Sequence, residues 1–196
     1  QRLAQIKGQG LIILPTRELA LQVEESLRRV GERTGLRTAV LIGGMPMGPQ
    51  IYAMRKNPDI IIATPGRLID HLNQKTVRLD TAEIVVLDEA DRMLDMGFAP
   101  QIKKILDVLP RERHTMLFSA TMPQEIMKIA TTYMKLPIRI EVAPTGTTAE
   151  RVTQEIFMIQ KNEKNRLIEK LLTQHSATTL IFIRTRHSAH RLTRAI

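Results

Sequence analysis

The sequence contains no cysteine and no tryptophan, and among 196 residues it has four phenylalanines and two tyrosines. Without cysteine there is no disulfide, no thiol nucleophile and no cysteine-based zinc site. So few rings offer little on which unpaired bases could stack. Any nucleic acid would therefore be held chiefly by its backbone, with little sequence preference. No apolar run approaches the ~20 residues that cross a bilayer, and the N-terminus carries no signal-type pattern. Acidic residues are in deficit, 20 against 29 basic, leaving a formal charge of +9 that favours a polyanionic partner. Hydrophobic residues at 43% and charged residues at 25% are ordinary globular proportions, which exclude a disordered or fibrous chain. A cytoplasmic location is expected.

Short aliphatic runs alternate with helical patterns. Strands are expected at 11–14, 38–42, 59–63, 83–87, 114–118 and 137–142. Between them, Leu19, Ala20, Val23, Leu27 and Val30 form one apolar helix face, and Ile102, Ile105, Leu106 and Leu109 another. Several strands are apolar throughout, as in a sheet covered on both faces, so the fold class is α/β with a parallel sheet. Residues 143–151, APTGTTAER, interrupt the pattern and read as a linker. The alternation then restarts, with a strand at 152–159, a helix around 161–174, a strand at 178–183 and a final helical stretch. This gives a first α/β domain over 1–142 and the start of a second over 152–196. The chain opens on Gln1, and its last apolar positions, Ala189, Leu192 and Ile196, meet no stop signal. A piece of a longer protein, cut at both ends, is expected.

In an open parallel sheet, ligands bind beyond the carboxyl ends of the strands. Five consecutive strands here end in Pro15-Thr16-Arg17-Glu18, Gly43-Gly44, Thr64-Pro65-Gly66-Arg67, Asp88-Glu89-Ala90-Asp91 and Ser119-Ala120-Thr121. Each has a plain structural explanation. Thr16 can cap a helix with Glu18 in its first turn, the glycines can make a turn, and Thr64-Pro65 can start a helix. Asp88 and Glu89 can complement a helix dipole, and Ser119 and Thr121 can cap the helix that Pro123 opens. Each also has a chemical one. Four apolar residues, Ile84 to Leu87, running into two adjacent carboxylates form a Walker-B pattern. In it Asp88 can hold Mg²⁺ through water and Glu89 can activate the water that attacks a γ-phosphate. Arg17 and the amides of a helix start suit a phosphate, and Arg67 suits a phosphate clamp. Ser119 and Thr121 can bond to Asp91 across the strand edge. The histidines, His71, His114, His175, His187 and His190, give no metal-ligand pattern.

Taken in order, PTRELA (15–20), GG (43–44), TPGR (64–67), DEAD (88–91) and SAT (119–121) resemble the motifs of the DEAD-box ATP-dependent RNA helicases, and LIFIRTR (180–186) is similar to the first motif of that family's second domain. Asp91, where DEAH-type relatives have histidine, favours the DEAD-box group. The resemblance implies two RecA-like domains, the first lacking its start and the second its end, that close over ATP, Mg²⁺ and single-stranded RNA. It implies that Asp88 holds Mg²⁺, that Glu89 activates water, and that Asp91, Ser119 and Thr121 couple nucleotide state to RNA. Thr16, Arg17, Gly44, Thr64, Gly66 and Arg67 would line the RNA backbone, with Glu18 supporting Arg67. Duplexes would open locally as closure bends one strand, largely without regard to sequence.

The chain departs from the family in having no GxxxxGK[ST] phosphate loop and no adenine-reading Q motif, and it ends before the later second-domain motifs with their arginine finger. Because the family's phosphate-loop strand is interior to the first sheet, its loss is expected to expose the flanks of two buried strands. The 196 residues alone are therefore expected to neither hydrolyse ATP nor unwind RNA. A non-hydrolysing RNA clamp or protein-interaction module is the alternative, and a DNA-directed helicase a third reading.

Overall fold

A computed structural model describes residues 8–141, 153, 155–175 and 177–195. The apolar runs of the first part form five strands, β1 (Gln9–Ile13), β2 (Thr38–Leu41), β3 (Ile60–Ala63), β4 (Ala82–Leu87) and β5 (His114–Leu117). All pair in parallel, in the order β2-β3-β1-β4-β5. Six helices connect or follow them, α1 (Arg17–Gly31), α2 (Met47–Arg55), α3 (Pro65–Asn73), α4 (Ala90–Asp95), α5 (Ala99–Val108) and α6 (Gln124–Tyr133).

Side chains alternate across a strand, so β1 sends Leu11 and Ile13 to one face and Ile12 and Leu14 to the other. The first face forms the larger core, with Ile61, Val85 and Leu87 under Leu68 of α3, Met93 of α4, Ile102 and Ile105 of α5, and Ile126 and Ile129 of α6. The second face packs under α1, through Leu19, Ala20, Val23 and Leu27. Val30, expected on that same α1 face, is 81% exposed. At 1.5 Å per residue α1 is roughly 22 Å long and outruns the short strands beneath it, so its last turn has no sheet to cover. All four residues of β3 are buried, as the uninterrupted Ile60-Ile61-Ile62-Ala63 run requires of a strand covered on both faces.

The five strands pair without a break among themselves; of the flanks expected to be exposed, that of β5 is open at the edge of the sheet, and the neighbouring expected strand, 137–142, is unpaired over its described residues 137–141. β4 and β5 satisfy each other directly, from Ile84↔His114 to Leu87↔Leu117. The outward side of β5 is the open one, with Met116 and Phe118 exposed.

The chain divides into two units, Gln1–Gly146 and Thr147–Ile196. In the second, a 3-10 turn (Lys161–Glu163) leads into α7 (Lys164–Gln174), and α8 (Arg186–Thr193) follows. Thr185 caps α8, its Oγ1 accepting from Ser188 N–H at 3.2 Å. The expected linker, 143–151, lies outside the described residues. Of the three further strands expected, none forms among the described residues: 137–141, 155–159 and 178–183 are extended or irregular and outside any sheet. Apolar character alone does not make a strand, because a ladder needs a neighbour's backbone, and an isolated pair of strands is marginal in water. Ile138, Ile156 and Phe182 remain exposed accordingly.

Among the described residues of the first unit, one polar side chain is fully enclosed. His71 of α3 has no exposed surface, and its ring contacts Thr76 Oγ1 at 2.8 Å and Gln50 Oε1 at 3.3 Å. Burial first, then the positive Arg67, holds its pKa below the usual histidine value of 6.5, with Asp70 pulling weakly the other way. The unfolded chain therefore takes up this proton more readily than the folded one. His71's contribution to stability is complete above about pH 6.5 and is lost as the pH falls through the lowered folded value. Thermal melts across this range are expected to show an acid-side loss of melting temperature that His71→Gln diminishes. An unchanged acid slope in the variant would refute the assignment.

Candidate functional site

Because every strand is parallel, the five polar segments emerge on one edge of the sheet. They are also tied to one another by backbone bonds: Leu14 N–H to Ala63 O, Thr64 N–H to Leu41 O, Asp88 N–H to Ile13 O and Phe118 N–H to Leu87 O, all 2.8–3.0 Å.

Over β2, β3 and β1 the edge carries two arginines, Arg17 and Arg67, with the carboxylates of Glu18 and Asp70 beside them. Thr16 caps α1, its Oγ1 accepting from Leu19 N–H at 3.3 Å, which leaves Arg17 and Glu18 exposed in the first turn. Arg17 Nη1 donates to Gly43 O at 3.3 Å. Gly44 has φ +74°, and a Cβ there would run into Arg17 Nη1, so the chain needs glycine at this point. Arg67, its side chain 14% exposed, donates from Nη1 to Met45 O at 2.9 Å. Thr64 is buried and precedes Pro65 at the start of α3 without a side-chain cap bond, while Gly66 faces open space. Arg17, Gly44 and Arg67 thus converge on one loop, Ile42–Pro46. Glu18 does not join them: the partner of Arg67 is Asp70, at 3.5 Å and three residues along the same helix. Among the described residues no bond links Glu18 to Arg67.

Over β4 and β5 the edge is acidic. Asp91 binds the exit of β5 through three contacts. Its N–H donates to Ser119 Oγ at 3.1 Å, and its Oδ2 accepts from both the N–H and the hydroxyl of Thr121 at 2.8 Å. Burial would raise the Asp91 pKa, but the bonds from Thr121 and from Arg92 N–H outweigh it and the carboxyl titrates below its ordinary range. Glu89 adopts the left-handed conformation, φ 49° and ψ 50°, and its N–H donates to Asp88 Oδ1 at 2.9 Å. Its carboxylate is paired with Arg92 at 2.9 Å. Sequence reasoning missed Arg92, although the i,i+3 spacing was visible. It also passed over His71 and Gln50, whose meeting depends on the packing of α2 against α3.

Among the described residues no three histidine or acidic side chains converge as a metal cage. Mg²⁺ does not require such a cage, because it takes one or two carboxylates and completes its shell with water and phosphate oxygens. Asp88, whose Oδ1 accepts from Glu89 N–H, could contribute a carboxylate to such a shell, while Asp91 is bonded to Thr121 and Glu89 to Arg92.

The DEAD/DEAH box helicase family profile matches residues 1–129. The chain belongs to the DEAD-box helicase family. It is 40% identical over 185 residues to the DEAD-box ATP-dependent RNA helicase RhpA of Helicobacter pylori, an alignment covering 94% of this chain and 38% of that protein. It is 42% identical over 189 residues to the DEAD-box ATP-dependent RNA helicase CshA of Bacillus licheniformis, covering 96% and 39%. The chain thus spans under two fifths of the length of these relatives. Among solved structures it is similar to a DEAD box protein from the hyperthermophile Methanococcus jannaschii, with a TM-score of 0.67 and 34% identity, over 95% of this chain and 50% of that one. A hypothetical ATP-dependent RNA helicase from Sulfolobus tokodaii matches with a TM-score of 0.65 and 40% identity, over 68% and 40%. The parallel sheet with helices on both faces is the RecA-like fold of this family. No described helix is long and apolar enough to cross a membrane.

Proposed function

We propose that the full-length protein is a cytoplasmic, RNA-stimulated ATPase that holds single-stranded RNA by its backbone and separates duplexes locally, and that residues 152–196 begin its second RecA-like domain. The observation that supports this reading best is the arrangement of the sheet edge, which brings the arginines, the glycine loop and the Asp88-Glu89-Ala90-Asp91 segment together. Two arginines and a glycine loop occupy one half, three carboxylates the other, and β1 lies beside both.

In this reading Arg17, Gly44, Thr64, Gly66 and Arg67 receive RNA phosphates, joined by the α1 amides that Thr16 organises. Asp88 would hold Mg²⁺, and the bound ion would withdraw charge from the nucleotide phosphates. Glu89 accepts the proton of the attacking water. Asp91 transmits the state of this half to the RNA half, because its bonds to Ser119 and Thr121 make the exits of β4 and β5 move together. Duplex RNA opens as closure bends one strand, and hydrolysis resets the open state.

The 196 residues contain no GxxxxGK[ST] segment. For this chain alone the corresponding reading is RNA binding without turnover. ATP hydrolysis by the full-length protein, with and without single-stranded RNA, tests the first reading, and the same assay on the 196-residue chain tests the second. RNA-independent hydrolysis by the full-length protein would refute the first, and robust turnover by the short chain the second.

Gly44→Ala offers a sharper check. An alanine at this φ costs about 1–2 kcal/mol and displaces the Arg17 guanidinium, so oligoribonucleotide affinity is expected to fall roughly tenfold. Fluorescence anisotropy measures it, and unchanged affinity would remove this loop from the RNA site.

A further inference from the structure

Gln50 and His71 are, with Thr64, the buried polar side chains among the described residues, and the sequence motifs account for neither of the first two. Their bonding leaves little freedom. Three carbonyl oxygens surround the Gln50 amide nitrogen, those of Ile42 at 3.1 Å, Pro46 at 3.2 Å and Met45 at 3.4 Å. Only the amide N–H groups can satisfy carbonyls, so Gln50 Oε1 must face His71 Nε2 and accept from it. Nε2 therefore carries the proton, which leaves Nδ1 to accept from the Thr76 hydroxyl at 2.8 Å in preference to the more distant His71 carbonyl at 3.2 Å. The chain of donors runs one way, from Thr76 through His71 and Gln50 to the loop between β2 and α2.

In that loop Gln50 takes the carbonyls of Ile42, Met45 and Pro46, Arg67 also takes Met45, and Arg17 takes Gly43. Carbonyl and N–H point opposite ways across a planar trans peptide. Drawing the Ile42 carbonyl toward Gln50 turns the Gly43 N–H away from it, and drawing the Gly43 carbonyl toward Arg17 does the same for the Gly44 N–H. Neither N–H has a protein acceptor among the described residues.

We propose that His71 is a positioning residue for RNA binding: its Nε2–H fixes the carboxamide of Gln50, which fastens the loop carbonyls and presents the Gly43 and Gly44 N–H groups to a backbone phosphate. This rests on the reading that the loop contacts RNA, and Arg17→Ala serves as the control for that reading.

The test uses the 196-residue chain, a fluorescein-labelled oligouridylate, and the variants His71→Leu, which fills similar space without a donor, and His71→Gln, which places a donor near the Nε2 position. His71→Leu is expected to weaken RNA binding on the order of fivefold, as the loss of one directing hydrogen bond would. It is also expected to move the carbonyl carbon NMR shifts of Ile42 and Met45. His71→Gln is expected to restore both, which a purely space-filling role would not do. Imidazole nitrogen NMR on the unmodified protein is expected to show the Nε2–H tautomer; the Nδ1–H tautomer overturns the proposal even if a variant does not fold. If Arg17→Ala weakens binding and His71→Leu does not, the positioning role is overturned. If neither weakens it, the RNA reading of the loop falls, and the role of His71 in RNA binding with it.

Discussion

In the full-length protein, Glu89→Gln is expected to lower RNA-stimulated ATP hydrolysis about a hundredfold or more, the usual contribution of a positioned general base. Glutamine keeps the shape of the side chain and loses the basic oxygen. The backbone at this position is already strained, since a left-handed non-glycine residue costs roughly 1–2 kcal/mol. The structure holds it there through the bond from Glu89 N–H to Asp88 Oδ1 and the start of α4 at Ala90. Strain of this kind is retained where it aims a side chain. The pair with Arg92 is half-exposed, the regime in which such pairs contribute about 0–1 kcal/mol, so it can yield to a water molecule at little cost. RNA affinity should be unchanged, because Glu89 lies in the acidic half of the edge. A coupled assay at saturating RNA measures the first quantity and an RNA titration the second. Turnover within a few-fold of the parent would remove Glu89 from the chemistry.

Leu11→Ala is expected to destabilise the first unit by about 3–5 kcal/mol, the upper range for deleting a buried leucine side chain. Leu11 is 0% exposed in the middle of the sheet, with Ile61 on one side of it and Val85 on the other. The cost depends on how far the surroundings can collapse into the cavity. Here β1 is bonded to a strand on each flank and covered by helices on each face, so little collapse is available. Denaturant unfolding of the 196-residue chain measures the change. A loss under about 1.5 kcal/mol would mean that the core relaxes around this site far more than its packing suggests.

Much of this arrangement was legible in the sequence, for physical reasons that differ by element. β3 could be read because four consecutive aliphatic residues have few other uses, and α5 because Ile102, Ile105, Leu106 and Leu109 keep helical spacing and are all buried. The Asp91–Thr121 contact could be anticipated because parallel strands bring their exits together. The segments 155–159 and 178–183 looked equally strand-like, yet a strand exists only through a partner, and sequence pattern reports apolarity rather than pairing. The expected link from Glu18 to Arg67 is not among the bonds of the described residues. Arg67 instead pairs with Asp70, three residues along the same helix, and donates to Met45 O of the neighbouring loop. The left-handed turn at Glu89 and the enclosure of His71 leave no periodic trace, so they became visible only with the backbone in place.

The position of β1 also bears on how the molecule comes to be folded. It is the first described strand to leave the ribosome, yet it ends at the centre of the sheet, where Gly10 lies between Ile60 and Ile84. Until those later strands have been synthesised, Leu11-Ile12-Ile13-Leu14 remains an apolar segment with unmatched backbone groups on both sides. Contacts so distant along the chain form slowly, because the loops they close must first lose entropy. For this interval the nascent chain is at its most prone to mispairing and aggregation, and the strand on which both halves of the site depend is the one that waits longest for its neighbours.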